Sequence, residues 1–361
     1  MIRNHPSVFA VGRNYQIIVT VRSEAFVSIR VGDEVFVDDS NGILRSASPV
    51  HNIEVPGELL DREKKYTVIV KPIIKRLAYF TKTKDDIEYN YEFRPVPESN
   101  PRCYHIADAH NDSVRPVKAA KAYGDIDFLI LNGDVPEDSG NAENFNTIFD
   151  IIADVTGGNI PVVFARGNHD LRGVMAEKFA EFAPAENGKT YFTFRLGSIW
   201  GVCLDCGEDK LDSCPEYGWS VACAQFRKKE TKWLETIAAD GENEFAAPGV
   251  KTRLVVVHNP FTRRLEPPFD IEEDTYRYWA KVLGDKIKPD LMLCGHTHKI
   301  EVSEPGSVHD DYGQPCTVLI GSEVDKGKAY IGSGIEFLDG KAKVTFTNSN
   351  SETTGEAEIV Y

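Results

Sequence analysis

Cys103-Tyr104-His105-Ile106-Ala107-Asp108-Ala109-His110 is a short apolar run that ends in two side chains able to bind a metal ion. Four later apolar runs, at residues 128–132, 160–165, 254–258 and 291–294, also lead into polar motifs. Short apolar runs are typical of strands that are buried on both faces of a sheet. Apolar residues at helical spacing alternate with them, near residues 145–152, 226–237 and 279–283. The sequence therefore predicts an α/β core.

The polar motifs that follow these runs share the residue types of metal sites. They are Asp108-Ala109-His110, Gly133-Asp134, Gly167-Asn168-His169-Asp170, His258-Asn259 and Gly295-His296-Thr297-His298, and they hold five of the nine histidines. Carboxylate, imidazole and amide groups suit Mn, Fe, Zn or Ni. Open α/β sheets place their binding sites at the carboxyl ends of strands. Asp108 or Asp134 alone could cap a turn, but the complete ordered set predicts a metal centre.

Residues 1–97 have a different pattern, in which turn residues separate short runs rich in Val, Ile, Tyr and Phe. Such spacing predicts an all-β sandwich domain. The stretch at residues 94–101 contains three prolines and predicts a stiff linker. We therefore expect a domain boundary between residues 1–97 and 98–361. Because all of the polar motifs lie beyond it, the first domain is expected to be dispensable for the chemistry.

The composition restricts the partners and the compartment. The formal net charge of −15 repels nucleic acid and anionic membranes, so neither is expected as a partner. No apolar run reaches the length of a membrane span, and the first residues lack the pattern of a secretory signal. With seven scattered cysteines, these features favour a cytoplasmic protein with reduced thiols. A structural zinc at Cys203, Cys206, Cys214 and Cys223 is an alternative, although the second pair is spaced more widely than in a zinc ribbon.

In order, spacing and identity, the five motifs resemble the calcineurin-like metallophosphoesterase family, from Tyr104 to the C-terminus. The resemblance implies a four-layer α/β/β/α sandwich and hydrolysis of a phosphate ester, and we expect a small soluble phosphomonoester as the substrate. The length and position of residues 1–97 resemble the fibronectin-type-III-like module found before some phosphatase domains. This second likeness is one of architecture only.

The resemblance also implies a dinuclear centre of two divalent transition-metal ions. One ion would be held by Asp108, His110 and His298, the second by Asn168, His258 and His296, and Asp134 would bridge the two. Ions separated by about 3.5–4 Å would share a bridging hydroxide, which attacks phosphorus in line. Two divalent ions outweigh two carboxylates, so the phosphate would meet a positive site within an acidic protein.

Three further residues are predicted to take part in the reaction. By the resemblance, His169 would face the leaving oxygen and protonate it or stabilise its charge. Asp170 follows it directly and would orient the imidazole ring. Arg166 completes the sequence Arg-Gly-Asn-His-Asp, which resembles the protein-phosphatase branch, where the arginine contacts phosphate.

One related group differs at the metal site. Purple acid phosphatases share the predicted domain order, but they have glycine where His110 stands and tyrosine where Glu137 stands, so no purple chromophore is expected. Two alternatives are a phosphodiesterase, for example one that acts on cyclic nucleotides, and a non-catalytic binding protein on the same fold. The motifs favour an enzyme, because such binding proteins usually lack His169 or several ligands. The sequence does not identify the native metals or the oligomeric state.

Overall fold

The computed structural model describes residues 1–40, 42–324 and 327–361. Within these residues the strands are β1 (Ser7–Val11), β2 (Asn14–Thr20), β3 (Ala25–Val31), β4 (Glu34–Val37), β5 (Val50–Pro56), β6 (Lys65–Arg76), β7 (Thr81–Thr83), β8 (Ile87–Glu92), β9 (Arg102–Ile106), β10 (Phe128–Asn132), β11 (Val162–Ala165), β12 (Phe192–Leu196), β13 (Ile199–Leu204), β14 (Thr252–Val257), β15 (Leu291–Cys294), β16 (Glu301–Ser303), β17 (Thr317–Ile320), β18 (Ile331–Leu338), β19 (Lys341–Asn348) and β20 (Thr353–Val360).

The longer helices form where apolar residues recur at helical spacing. The helices are α1 (Gly57–Glu63), α2 (Arg115–Tyr123), α3 (Asn146–Thr156), α4 (Phe179–Phe182), α5 (Cys223–Ala239) and α6 (Glu273–Val282), with short 3₁₀ helices at His169–Leu171, Ala176–Lys178 and Pro215–Tyr217 and a π-helical turn at Leu283–Ile287. The three predicted helices correspond to α3, α5 and α6. Helix α3 ends at Gly157, whose left-handed backbone (φ 61°) closes the helix. No helix in the described ranges is long and apolar enough to cross a membrane.

The strands form three sheets, which we call sheets A, B and C. Sheet A has the order β20-β19-β18-β9-β10-β11-β1-β2-β5, and β9, β10 and β11 in its centre are parallel. Sheet B has the order β12-β13-β14-β15-β17-β16, with β13, β14, β15 and β17 parallel. Sheet C has the order β4-β3-β6-β7, and β8 also pairs with β6. The five buried apolar runs of the sequence form five of these parallel strands, namely β9, β10, β11, β14 and β15.

Sheets A and B pack face to face with helices on their outer sides. Ile130 of β10 and Val256 of β14 belong to one buried cluster between the two sheets. Because alternate residues of a strand point to opposite faces, Leu131 lies on the outer face of sheet A, where it joins a cluster with α3. On the outer face of sheet B, Val257 packs in a cluster with Trp279 of α6. The layers are therefore helix, sheet, sheet and helix, which confirms the predicted four-layer α/β/β/α fold.

The N-terminal region forms a β-sandwich whose two layers belong to different sheets. One layer is sheet C, and the other is the end of sheet A that contains β1, β2 and β5. Tyr15, Ile17 and Val19 alternate along β2 and share one buried cluster with Val27 of β3 and Val68 of β6. The strand content agrees with the predicted sandwich, whereas the likeness to fibronectin type III stays a prediction.

The end of sheet A crosses the predicted boundary at residue 97. Strand β1 pairs in parallel with β11, with Phe9 opposite Val162. The backbone N–H of Gly12 also donates to the carbonyl of Thr193 in β12, at 2.6 Å. The predicted division thus marks a change of sequence pattern and not a break between sheets. Removal of residues 1–97 would leave β11 without one of its partner strands, and the expectation that they are dispensable for the chemistry stays a prediction.

Candidate functional site

The predicted polar motifs meet where the parallel strands of sheets A and B end. Asp108 follows β9, Asp134 follows β10 and Asn168 follows β11, whereas His258 follows β14 and His296 follows β15. Backbone hydrogen bonds join neighbouring motifs: the N–H of Asp108 donates to the carbonyl of Gly133 at 3.1 Å and that of His110 to the carbonyl of Asp134 at 3.0 Å. The structure therefore brings together side chains that are far apart in sequence.

Most of the predicted metal ligands have a left-handed backbone, which non-glycine residues rarely adopt. They are Asp108 (φ 57°), His110 (φ 46°), Asp134 (φ 51°), His296 (φ 72°) and His298 (φ 57°). Backbone strain of this kind persists where the surrounding structure holds it, and it is concentrated at functional sites. Here the residues with a left-handed backbone follow the strand ends. Each loop therefore reverses sharply, and the ligand side chain that it carries points toward the other loops.

Gly133 is required for the close approach of these loops. Its φ is +77°, and a Cβ atom at this position would lie 2.6 Å from the ring of His258 and 2.7 Å from the Cα of Gly167. Gly167 is equally restricted, since its Cβ would lie 2.3 Å from Asp134 Oδ1. The glycines of the motifs thus let the ligand-bearing loops pack directly on one another.

Asp108, His110 and His298 form the first group of possible metal ligands, with one donor atom from each within 4.8 Å of the others. The Nε2 atoms of the two histidines are 3.1 Å apart, and His298 Nε2 is 3.5 Å from Asp108 Oδ1. Neighbouring ligands of an octahedral ion with bonds of about 2.1 Å are separated by about 3 Å, so this spacing suits a shared cation. These residues are the set that the sequence predicts for one ion.

Asp134, His258 and His296 form the second group, also within 4.8 Å of one another. Asn168 joins them, because its Oδ1 lies 3.0 Å from His296 Nδ1. His258 Nδ1 donates to the carbonyl of Asn132 at 2.7 Å, so Nε2 points inward, 3.1 Å from Asp134 Oδ2. The residues predicted for the second ion therefore lie together. Asp134 belongs to this group alone, and its bridging role stays a prediction.

The electrostatics of the site favour a positive charge at its centre. Burial alone would lower the pKa of the His258 imidazole, but the carboxylates of Asp134 and Asp108 outweigh this effect and raise it to about 10. The pKa of Asp134 is lowered despite its burial, chiefly by the charge of His258. Burial and the charge of His258 lower the pKa of His296 to about 4, which leaves its imidazole neutral and able to act as a ligand. The donor set and its charge balance fit a divalent cation.

A second layer of residues holds the ligands in place. Ser322 Oγ donates to Asp108 Oδ2 at 2.7 Å, and the backbone N–H of His296 donates to the same carboxylate at 3.0 Å. Glu137 Oε2 lies 3.0 Å from His110 Nδ1, on the opposite side of the ring from Nε2. A carboxylate on the outer nitrogen of a ligand histidine fixes its tautomer and ring orientation. Glu137 thus supports His110.

His169 lies beside the first group of ligands. Its ring packs edge-on against His110, with a centroid separation of 4.8 Å. Its Nδ1 donates to the carbonyl of Glu137 at 2.8 Å, and its Nε2 accepts a hydrogen bond from Arg172 Nη1 at 3.0 Å. A carbonyl oxygen can only accept, so the proton of the neutral ring is on Nδ1. The structure therefore orients His169 through Glu137 and Arg172.

The prediction that Asp170 orients the imidazole of His169 is wrong. The Asp170 carboxyl group does not orient His169; it accepts hydrogen bonds from the backbone N–H groups of Gly167 at 2.7 Å and Asp134 at 3.2 Å. Burial and the nearby charge of Asp134 raise the pKa of Asp170 to about 8. Asp170 points back into the fold because those backbone groups need a buried acceptor. It holds the turn that carries Asn168.

Arg166 is also placed differently from the prediction. Its Nε lies 2.7 Å from Asp205 Oδ2, and the side chain of Asp205 is only 1% exposed. The guanidinium group is further enclosed by the rings of Phe179 and Phe226, at 5.7 and 5.4 Å from their centroids. An ion pair that is buried in this way stays closed, because separating it would leave an uncompensated charge. Arg166 is therefore held in the fold through Nε, and its predicted contact with phosphate stays a prediction.

The sequence assigns no role to Glu137, and it leaves open whether Arg172, like Asn111 and Asp112, contacts substrate or belongs to a solvated loop. Glu137 follows the Gly133-Asp134 motif by three positions, and Arg172 follows Asp170 by two. Proximity to a motif is the only signal in the sequence, and it does not separate them from Asn111 or Asp112, which also neighbour a motif. Their roles depend on which histidine they reach, and that is a property of the folded loops.

The structure gives no support to a structural zinc at the four clustered cysteines. Cys203, Cys206 and Cys223 are buried free thiols, and Cys214 is partly exposed. Within the described parts of the chain, none of the groups of three possible metal ligands contains a cysteine. Burial raises the pKa of the Cys203 and Cys206 thiols well above the usual value, which disfavours the thiolates that zinc requires.

A cleft of about 630 Å³ opens beside the ligand groups. Its lining includes Asn168, His169 and His296 from the site, and Arg263 and Phe269 from the loop after β14. Clefts of this size typically bind small molecules.

Comparisons with known proteins agree with this geometry. The family of calcineurin-like phosphoesterases matches residues 101–300. No curated protein sequence matches the chain. Among solved structures, the chain is similar to purple acid phosphatase PPD1 isolated from yellow lupin (Lupinus luteus) seeds, with a TM-score of 0.58, 15% identity, and coverage of 99% of this chain and 74% of that chain. At this identity the likeness supports the fold alone.

Two smaller proteins match with lower TM-scores. A conserved uncharacterized protein, a predicted phosphoesterase, from Streptococcus pneumoniae TIGR4 has a TM-score of 0.33 and 12% identity, over 73% of this chain and 99% of that chain. Wild-type Vps29 complexed with zinc from Entamoeba histolytica has a TM-score of 0.31 and 10% identity, over 72% of this chain and 99% of that chain. The family match covers more than half of the chain and contains the motifs up to His298. The chain therefore belongs to the calcineurin-like phosphoesterase family and is a metal-dependent phosphoesterase.

Proposed function

We propose that the protein hydrolyses a small soluble phosphomonoester at a dinuclear centre of two divalent transition-metal ions, of the class of Mn, Fe, Zn or Ni. The observation that carries this proposal is the meeting of two ligand groups at the ends of sheets A and B, each within 4.8 Å. When bound, such ions lower the pKa of water and offset the negative charge of the phosphoryl group.

The ligands divide between the two ions as follows. Asp108, His110 and His298 would hold one ion, Asn168, His258 and His296 would hold the other, and Asp134 would lie between them. Two observations support this division. Nδ1 of His258 is committed to the carbonyl of Asn132, which directs Nε2 inward, and the Nε2 atoms of His110 and His298 lie 3.1 Å apart. The second-layer contact of Glu137 with His110 fits the support that metal-binding histidines require.

His169 is proposed to act on the leaving oxygen. Its Nδ1 is committed to the carbonyl of Glu137, so Nε2 is the atom that would deliver a proton. In the substrate-free protein Nε2 accepts a hydrogen bond from Arg172. For His169 to act as the acid, substrate must therefore displace Arg172 from Nε2, and Nε2 must then take up a proton from solvent, because the neutral ring carries its proton on Nδ1.

The substrate class is proposed from the size of the cleft and from charge. A cleft of about 630 Å³ accommodates a small ester, and the net charge of −15 disfavours long polyanions. We therefore propose no nucleic-acid or membrane partner, and a cytoplasmic location with reduced thiols.

A screen of ester classes tests the proposal. Protein reconstituted with Mn²⁺ should hydrolyse small phosphomonoesters faster than phosphodiesters and cyclic nucleotides, and His296→Asn should lose both metal and activity. Arg277→Met, which removes an exposed cation of α6, serves as the control and should behave like wild type. Activity confined to diesters would show that the protein is a phosphodiesterase and would contradict the proposal. A metal-loaded protein that hydrolyses no ester would identify a binding protein.

A further inference from the structure

Arg172 places a guanidinium group directly beside His169. It follows the short helix His169–Leu171, and its Nη1 donates to His169 Nε2 at 3.0 Å. Its Nε and Nη2 donate to the two carboxylate oxygens of Glu208, each at 3.0 Å. Two of its three nitrogens are therefore used to fix the group, and the third faces the catalytic side chains.

The carboxylate that fixes Arg172 is itself held rigidly. The side chain of Glu208 is 1% exposed and accepts a hydrogen bond from the hydroxyl of Tyr217 at 3.1 Å. The same hydroxyl lies 3.0 Å from Asp209 Oδ1, which is 3.6 Å from Arg172 Nη2. The backbone of Arg172 is anchored too, because its carbonyl accepts from the N–H of Ser139 at 2.6 Å. A group held in advance loses little entropy when it binds a ligand.

Arg172 stays charged, is partly exposed, and contacts His169, which lines the cleft. Burial alone would lower its pKa, but Glu208 and Asp209 outweigh burial and raise it. Its side chain is 28% exposed, whereas that of Arg166 is 11% exposed and enclosed by two aromatic rings. Of these two arginines, only Arg172 therefore combines a fixed orientation with an accessible N–H donor.

We propose that Arg172, and not Arg166, contacts the phosphoryl group of the substrate. This inference rests on the proposed phosphoesterase function and adds a residue to it. A phosphoryl oxygen takes the place of His169 Nε2 as the acceptor for Nη1, while Nε and Nη2 stay on Glu208. Because the guanidinium is already charged and paired, the exchange buries no new unpaired charge. It also releases His169 Nε2, which then faces the leaving oxygen.

Arg172→Met tests the proposal through phosphate binding and through the choice of leaving group. Inorganic phosphate should inhibit the Mn²⁺-reconstituted variant about 10- to 100-fold more weakly, as expected for a lost hydrogen bond to a charged group. Alkyl and nitrophenyl phosphates should be slowed by the same factor, because both esters present the same phosphoryl oxygens. Glu208→Gln should produce a smaller loss of the same kind. Arg277→Met removes an exposed arginine of α6 and should change neither quantity.

Two results would overturn the proposal. One is unchanged inhibition by phosphate, and the other is a loss confined to the alkyl ester, since Arg172 would then act only through His169. Arg172→Lys provides a second variant if Arg172→Met does not fold; it keeps the charge without the two-pronged contact to Glu208 and should show the same equal slowing. If the wild-type protein hydrolyses no ester, the proposed function fails. Calorimetry of inorganic phosphate binding to the Mn²⁺-loaded proteins then still decides the role of Arg172.

Discussion

Replacing Phe9 by alanine should destabilise the catalytic part of the protein, although Phe9 lies in the region predicted as a separate domain. Phe9 is 0% exposed, and its ring packs edge-on against Phe164 of β11 at a centroid distance of 6.3 Å. Its backbone lies opposite Val162 in sheet A. Removing a fully buried phenylalanine side chain costs about 3–5 kcal/mol. That is a large part of the 5–15 kcal/mol, roughly, by which a folded protein is stable.

Tryptophan fluorescence during urea unfolding measures the stability of the part of the chain beyond residue 97. All four tryptophans lie beyond residue 97, at Trp200, Trp219, Trp233 and Trp279. Their unfolding midpoint should fall in Phe9→Ala by an amount equivalent to about 3–5 kcal/mol. Phe80→Ala is the matched control, because Phe80 belongs to the same N-terminal region but is 65% exposed, and it should leave the midpoint unchanged. An unchanged tryptophan transition in Phe9→Ala would refute the continuity of sheet A across residue 97.

Three further substitutions test individual residues of the site. His169→Asn should slow hydrolysis of an alkyl phosphate by a large part of the rate factor of about 10²–10⁴ that general acid catalysis supplies, and hydrolysis of a nitrophenyl phosphate much less, because only an alkoxide needs a proton to leave. Equal slowing of both esters with unchanged metal content would contradict the role of His169 as a proton donor. Gly133→Ala should weaken Mn²⁺ binding measured by calorimetry, because its Cβ would lie 2.6 Å from the His258 ring, whereas Gly284→Ala has ordinary contacts and should not; equal affinities would refute the steric argument. Arg166→Met should lower the free energy of unfolding by about 3–5 kcal/mol, because it leaves a buried carboxylate unpaired; a normal stability with weakened phosphate inhibition would restore its predicted contact with substrate.

The α/β core and the ligand groups could be predicted from the sequence because their signals are local. Each apolar run is a buried strand, and each polar motif follows its strand within a few residues. Parallel strands align their carboxyl ends, so Asp108 and Asp134 had to lie near each other once β9 and β10 paired. Chain order and residue type were therefore sufficient to predict a metal centre, whereas the division of its ligands into two groups was implied by the resemblance to the family.

The partners of strands and of charged side chains could not be predicted in the same way. The apolar pattern of β1 suits any buried sheet, and its pairing with β11 depends on the space beside that strand in the fold. Arg166 pairs with Asp205 because that residue, which directly follows β13, offers a buried carboxylate. Asp170 turns inward because two backbone N–H groups need an acceptor. These choices are settled by long-range packing and by the cost of unpaired buried groups.

The metal stoichiometry of the purified protein tests the dinuclear centre most directly. After reconstitution with Mn²⁺ and removal of free metal, elemental analysis should find about two ions per chain in the wild-type protein. Asp134→Ala should bind fewer, because its carboxylate lies in the second ligand group and offsets the repulsion between two cations. A wild-type content of one ion or fewer per chain would contradict the dinuclear centre.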